Sequence, residues 1–148
     1  MSVTDPATPT LTIPGTPTGT ETVLVVEDED SVRRLITSIL ELHGYRVLSA
    51  GTAGEATQIS VGHDGGIDLL LTDLDIPDLT GRELAQRLRA TRPEMMLLYI
   101  SGRPDDDIAD YGVLPSGNLF LHKPFTPYGL AWRVREVLDG GRDGRTAG

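Results

Sequence analysis

Three carboxylates and a lysine of this chain closely follow short runs of apolar residues. The four side chains are those of Glu27, Asp28, Asp73 and Lys123. Carboxylate oxygens are ligands that a divalent cation such as Mg²⁺ prefers, and a lysine can offset the charge of a phosphoryl group. We therefore predict chemistry on phosphate. Asp73 is the predicted nucleophile because it lies centrally among these groups, and an acyl phosphate is the predicted product.

The sequence between residues 22 and 138 alternates strand-like and helix-like patterns. A continuous apolar run, typical of a strand buried on both faces, predicts a strand at 23–26, and further strands are predicted at 45–49, 68–72, 95–100 and 119–121. The remaining segments predict helices at 31–43, 52–60, 81–91, 104–111 and 127–138. This alternation predicts an α/β fold in which one parallel sheet carries helices on both faces.

Every candidate side chain falls at the carboxyl edge of that predicted sheet. In strand order the side chains are Glu27 and Asp28, then Asp73, Ser101 and Lys123. Ligands of parallel sheets bind beyond this edge, so residues far apart in the chain are expected to meet there. Ser101 is expected to donate a hydroxyl hydrogen bond to the phosphoryl group once it has arrived.

Composition and charge restrict the class of protein. The chain has 148 residues, of which 39% are hydrophobic, as expected of a single soluble domain. No apolar run reaches the about 18 residues of a membrane helix, and the first twenty residues lack the basic start and apolar centre expected of a signal peptide. The absence of cysteine excludes disulfides and thiolate metal sites. A net charge of −9 argues against direct nucleic-acid binding, and a cytoplasmic location is the default expectation.

Both ends of the chain differ in composition from its middle. Residues 1–21 are dominated by threonine, proline and glycine, which predicts a flexible tail or linker. Residues 139–148 contain several glycines and are predicted to form a second flexible tail. The predicted domain therefore covers residues 22–138.

Four ordered motifs resemble those of the receiver domains of two-component response regulators, the CheY-like family. They are VLVVEDED, LLLTDLDIPDLTGREL, YISG and FLHKPF. The segments GTETVLVVEDE, GRELAQRL and KPFTPYGLAWRVREVLD are most similar to receivers attached to hybrid sensor histidine kinases. The resemblance covers roughly residues 22–138. It implies a flavodoxin-like, doubly wound sheet of five parallel strands in the order 2-1-3-4-5.

The resemblance also implies a phosphorelay role for the candidate residues. Asp73 would accept a phosphoryl group from a sensor histidine kinase or a histidine phosphotransfer protein, and Lys123 would pair with it. Asp28 and Asp73 would bind Mg²⁺ or Mn²⁺ directly, Glu27 through water and Asp75 through its backbone carbonyl. Glu27 stands where the family more often has aspartate. The chain would then be a signalling domain, and it would catalyse only its own phosphorylation and dephosphorylation.

A conformational switch follows from the same resemblance. Ser101 would move towards the phosphate and Phe120 would rotate inward. The surface of the predicted helix at 104–111, the fifth strand and the last helix would change shape, and it is a candidate homodimer interface. Asp75 and Arg103 occupy positions that flank the phosphorylation site. We predict that they form an ion pair that controls the access of water.

Trp132 is predicted to lie on the outer side of the last helix. An outward tryptophan is often only partly buried in a groove. The alternative is that Trp132 docks a partner, because tryptophan is favoured at the centre of interfaces.

Two other functions are compatible with parts of the sequence. Asp73 and Asp75 resemble the DxD motif of haloacid-dehalogenase-like phosphatases, but an acidic pair upstream of the motif is the receiver arrangement. A receiver that binds a partner without switching is the other alternative.

Overall fold

A five-stranded parallel sheet forms the centre of the fold. We describe the chain from a computed structural model, in which residues 17–102 and 119–147 are described. The strands are β1 Thr22–Val26, β2 Arg46–Ala50, β3 Leu69–Asp73, β4 Met96–Ser101 and β5 Leu119–His122. The described helices are α1 Asp30–Leu42, α2 Ala53–Gly62, α3 Gly81–Arg89 and α4 Pro127–Ala147. The predicted helix at 104–111 lies outside the described residues.

The strand order is β2-β1-β3-β4-β5, with every neighbouring pair parallel. This order confirms the predicted flavodoxin-like topology. The register pairs Val26 of β1 with Thr72 of β3, and Asp73 with Ile100 of β4. The residues that follow these strands therefore lie side by side at one edge of the sheet.

Two apolar layers cover the two faces of the sheet. Alternate strand residues point to opposite faces, so Leu24 and Leu70 pack with α2 and α3 in one layer. Val25 and Leu71 pack with α1 and α4 in the other layer. All residues of β1 and β3 are buried, as the continuous apolar runs predict for strands covered on both sides.

Helix α4 extends further than the sequence predicts. It runs to Ala147, past the end expected at 138 and through Gly140. Glycine costs about 1 kcal/mol relative to alanine in a helix, which weakens the helix without forbidding it. Arg135 reaches Asp139 one turn along, with Nη2 to Oδ1 at 2.8 Å, and this pair supports continuation. Within residues 17–102 and 119–147, no helix is both long and apolar enough to cross a membrane.

The residues directly before β1 are bound to the domain, although the sequence assigns them to a flexible tail. The backbone N–H of Gly19 donates to the carbonyl of His43 at 3.0 Å. Arg135 of α4 donates to both carboxylate oxygens of Glu21, at 3.0 and 2.6 Å. These hydrogen bonds raise the pKa of Arg135 above its usual value. Residues directly before β1 therefore contact both α4 and the end of α1.

Gly81 allows α3 to start against the end of β3. Its N–H donates to the carbonyl of Leu74 at 2.8 Å. A Cβ at this position would clash with the carbonyl oxygen of Asp73 and lie 3.1 Å from Cα of Leu74. A residue without a side chain is therefore required where the helix meets the strand that carries Asp73.

Candidate functional site

The ends of β1 and β3 bring three carboxylates together. One oxygen each of Glu27, Asp28 and Asp73 lies within 4.8 Å of the others. Glu27 and Asp73 are buried, with exposed fractions of 1% and 6%, whereas Asp28 is exposed. The sequence predicted this convergence from the parallel arrangement of the strands, and the geometry confirms it.

Lys123 enters the same cluster from the end of β5. Its Nζ donates to Oδ2 of Asp73 at 2.8 Å and lies 3.1 Å from Oε1 of Glu27. The backbone positions it, because Lys123 N donates to the carbonyl of Ser101 at 2.8 Å. Burial lowers the pKa of Lys123, but the hydrogen bond to Asp73 and the ion pair with Glu27 outweigh this, so that its pKa is raised overall. The lysine is therefore a fixed positive charge beside Asp73.

The buried position of Glu27 disfavours the charged form of its carboxyl group. Burial, and to a smaller extent the charge of Asp73, raises the pKa of Glu27. The N–H of Glu29 donates to Oε2 at 3.0 Å, and this hydrogen bond together with Lys123 lowers the pKa only in part. Oε1 is buried and forms an ion pair with Lys123, but among the described residues no donor is aligned for a hydrogen bond to it. A buried oxygen in this state favours an additional positive partner.

The donor set fits a divalent cation. Three carboxyl groups face a single ammonium group, an excess of acidic groups that a divalent cation would balance. The carboxylates of Glu27, Asp28 and Asp73 lie close enough together to offer oxygen ligands to one cation. The residues of the cluster therefore fit a divalent cation in ligand type and in charge.

Ser101 and Phe120 lie where the sequence predicts them, close to the end of the sheet. Ser101 is fully buried and lies one residue beyond Ile100, the partner of Asp73 in the β3–β4 ladder. Phe120 is buried, and its ring stacks on Tyr99 with a centroid separation of 5.6 Å and an interplanar angle of 29°. Tyr99 was not predicted as this partner, although the register of the parallel strands β4 and β5 pairs it with Phe120.

The loop after β3 gives Asp75 a position next to the site. The N–H of Asp75 donates to Oδ1 of Asp73 at 3.0 Å, so that both oxygens of Asp73 accept hydrogen bonds. The side chain of Asp75 is exposed. Arg103 lies outside the described residues, and its ion pair with Asp75 stays a prediction.

Asp78 is a residue of this loop that the sequence analysis missed. Its two carboxylate oxygens accept from the N–H groups of Ala53 and Gly54, each at 3.0 Å, at the start of α2. Nothing local predicts such a contact between residues this far apart in the chain. In contrast, Thr80 and Glu83 form a capping box at the start of α3, which their spacing does signal.

A comparison with family models decides what kind of domain this is. The model described as response regulator receiver domain matches residues 23–135. The chain belongs to the response regulator receiver family. It is therefore a receiver of two-component systems, and its acidic cluster with Asp73 lies at the carboxyl edge of the sheet.

Curated relatives of this receiver are parts of longer proteins. It is 36% identical over 121 residues to the sensor kinase CckA of Brucella abortus. The aligned region covers 82% of this chain and 13% of that protein. It is 31% identical over 120 residues to the phosphate regulon regulator PhoB of Pseudomonas aeruginosa. That alignment covers 80% of this chain and 52% of that protein. The receiver thus spans about half or less of these relatives.

Solved receivers share the fold over their whole length. The CheY-like receiver of Methanospirillum hungatei has 28% identity and a TM-score of 0.72, covering 85% of this chain and 99% of that chain. The receiver domain of the hybrid histidine kinase CckA has 35% identity and a TM-score of 0.66, covering 79% of this chain and 98% of that chain. These matches support the resemblance to hybrid-kinase receivers and give no support to the phosphatase alternative.

We predict that Asp78→Asn lowers the melting temperature of this receiver in a pH-dependent way. The hydrogen bond from Ala53 N is the main cause that holds the pKa of Asp78 below its ordinary value of 3.8. A lowered carboxyl pKa gives stability that is present above that ordinary value and is lost as the pH falls through the folded-state pKa. Thermal unfolding at pH 7 should therefore show a less stable variant, with the difference shrinking below about pH 4.

The matched control is Asp64→Asn, because Asp64 is an exposed acid in the loop before β3. It should unfold like the original chain at every pH. A deficit in the melting temperature of Asp78→Asn that stays constant down to the acid transition would contradict the stabilising role of the ionised Asp78 carboxylate at the start of α2.

Proposed function

We propose that this receiver accepts a phosphoryl group from a phosphohistidine onto Asp73, with Mg²⁺ or Mn²⁺ bound beside it. The donor is a sensor histidine kinase or a histidine phosphotransfer protein. The main support is the geometry of Asp73, whose Oδ2 accepts from Lys123 at 2.8 Å and which lies within 4.8 Å of two further carboxylates. When a carboxylate nucleophile lies beside an ammonium group and a cation site, both positive charges can offset the negative charge of the incoming phosphoryl oxygens.

Each site residue has a distinct part in the proposed transfer. An oxygen of Asp73 forms a bond to phosphorus while the phosphorus–nitrogen bond breaks, and the electron pair of that bond leaves on the imidazole nitrogen. Lys123 stays beside the transferred group because it is already paired with Asp73. Asp28, Asp73 and the backbone carbonyl of Asp75 would hold the cation directly, and Glu27 would hold it through water. The cation supplies charge neutralisation to the phosphoryl oxygens.

Labelling with a small phosphodonor tests the proposed acceptor. Incubation with acetyl phosphate and Mg²⁺ should add one phosphoryl group, detected by intact mass, because the site itself supplies the charge stabilisation. The adduct should be absent in Asp73→Asn and greatly reduced when a chelator removes the cation. Asp64→Asn, a distant and exposed control, should label like the original chain.

Two results would overturn the proposal, one from that experiment and one from a parallel assay with a phosphate monoester. One is an adduct that persists in Asp73→Asn. The other is continuous release of phosphate from a phosphate monoester without a stable adduct, which is the behaviour of the phosphatase alternative.

We extend the proposal to a switch between two states that phosphorylation biases. The buried hydroxyl of Ser101 lies near the end of β4, and the ring of Phe120 lies on the adjacent strand, stacked on Tyr99. New contacts from the phosphoryl group to Ser101 would favour one position of these side chains over the other. The surface that would respond contains β5 and α4.

Hydrogen exchange can separate switching from phosphorylation. Phosphorylation should alter amide exchange in β5 and α4 of the original chain. Ser101→Ala should still accept the phosphoryl group but show a smaller change in exchange, because it lacks the hydroxyl contact. Ser38→Ala, at an exposed position of α1, is the control. An equal response of both variants would remove Ser101 from the switch, and no response in any chain would favour the non-switching alternative.

We propose that Trp132 contributes to a phosphorylation-dependent homodimer through the same surface. Trp132 is 46% exposed on α4, and its ring contacts that of Tyr128, with centroids 6.1 Å apart. Exposed aromatic side chains of this size are favoured at interfaces because they bury much apolar area.

Sedimentation of the phosphorylated protein tests this proposal. The dimer should weaken by about tenfold or more in Trp132→Ala, since central interface residues are typically worth more than about 1.4 kcal/mol. Val61→Ala, an 82% exposed position on α2, should leave it unchanged. A phosphorylated protein that remains a monomer would exclude the homodimer.

A further inference from the structure

Helix α1 has an apolar surface that the described residues leave uncovered. Leu35 and Leu42 are 49% and 41% exposed. They are two helical turns apart and therefore lie on one side of α1, about 10 Å from each other. At the Leu35 end, a cavity of about 370 Å³ is lined by Val32, Leu35, Lys123, Pro124 and Phe125. We call the stripe from Leu35 to Leu42, with this cavity, the α1 surface.

The N-terminal segment of the chain leaves the domain next to the other end of the α1 surface. Gly19 donates its N–H to the carbonyl of His43, the residue that follows Leu42. Gly19 is packed closely, because a Cβ there would clash with Arg135 and with the ring of Tyr45. Residues 1–17 therefore start from a fixed point beside Leu42.

Arg135 strengthens this fixed point from the side of α4. Its Nη1 donates to the carbonyl of Thr18 at 3.3 Å, to Glu21 and to the hydroxyl of Tyr45. Gly44, at a φ of 98°, places its Cα against the carbonyl of Gly19, where a side chain would collide. The chain thus meets α1 at one defined position.

The sequence before this point suits an apolar surface. Residues 6–18 contain no charged side chain, so none would have to be desolvated on binding. Leu11 and Ile13 are its only large aliphatic residues, and Pro14 and Pro17 separate them from Gly19. Proline restricts the free chain, which lowers the entropy lost on binding.

The length of the segment also fits. An extended polyproline II chain advances about 3.1 Å per residue, so the six steps from Pro17 to Leu11 cover about 19 Å. The two turns of α1 between Leu42 and Leu35 need only about 10 Å. Leu11 and Ile13 can therefore reach the cavity from the fixed point at Gly19.

We propose that residues 11–17 of this chain bind along the α1 surface, with Leu11 and Ile13 in the cavity beside Lys123. The occupant is the chain's own segment because it is tethered at Gly19 and is present at a high local concentration. Since Lys123 lines the cavity and pairs with Asp73, the bound segment lies beside the site. If the proposed function holds, the segment competes with a protein phosphodonor for this approach and leaves a small phosphodonor unaffected.

The absence of cysteine allows a direct test with single thiols. Leu35→Cys places a thiol in the cavity of the full chain. Its reaction with a soluble aromatic disulfide should be about tenfold slower than in the same chain that also carries Leu11→Asp and Ile13→Asp, if the segment is bound about 90% of the time. Val61→Cys on α2 is the control, and its rate should not depend on the two aspartates.

Each outcome of this experiment decides the proposal. Equal rates with and without the aspartates would overturn it. Protection that increases with protein concentration would assign the surface to a second copy of the chain and would also overturn it. The thiol rates do not depend on phosphorylation, so protection combined with failed labelling of Asp73 would leave this inference standing and reject the proposed function.

Discussion

The proximity of three carboxylates at the end of β1 and β3 is the constraint on which the site depends. Two of them are buried, and like charges within 4.8 Å repel strongly away from water. Lys123 relieves part of this repulsion through Asp73 and Glu27. Removing one partner of such a group leaves an uncompensated charge, so the position of β5 is as important to the site as the acids themselves.

The sheet order explains why residues from distant segments can meet this constraint. β1 and β3 are adjacent although β2 separates them in the chain, and β4 then connects β3 to β5. The register places Asp73 next to Ile100, and Ser101 next to His122. A shift of one residue in any pair would turn these side chains to the opposite face, so the buried ladders fix the site geometry.

Much of this arrangement could be predicted from the sequence because buried strands have continuous apolar runs. Those runs located Asp73 and Lys123 at the ends of strands, and parallel pairing then required them to converge. Contacts between distant side chains had no such local signal, which is why the roles of Asp78 and Arg135 were missed. The end of α4 was predicted wrongly because glycines lower helix stability by amounts that neighbouring contacts can offset.

The hydrogen bonds of Arg135 connect the residues before β1 to the last helix. Arg135 bonds both to Glu21 and to the carbonyl of Thr18, and it is itself part of α4. A displacement of the residues before β1 would therefore disturb contacts of α4 as well as the start of β1. These contacts lie at the amino edge of the sheet, opposite to the edge that carries Asp73.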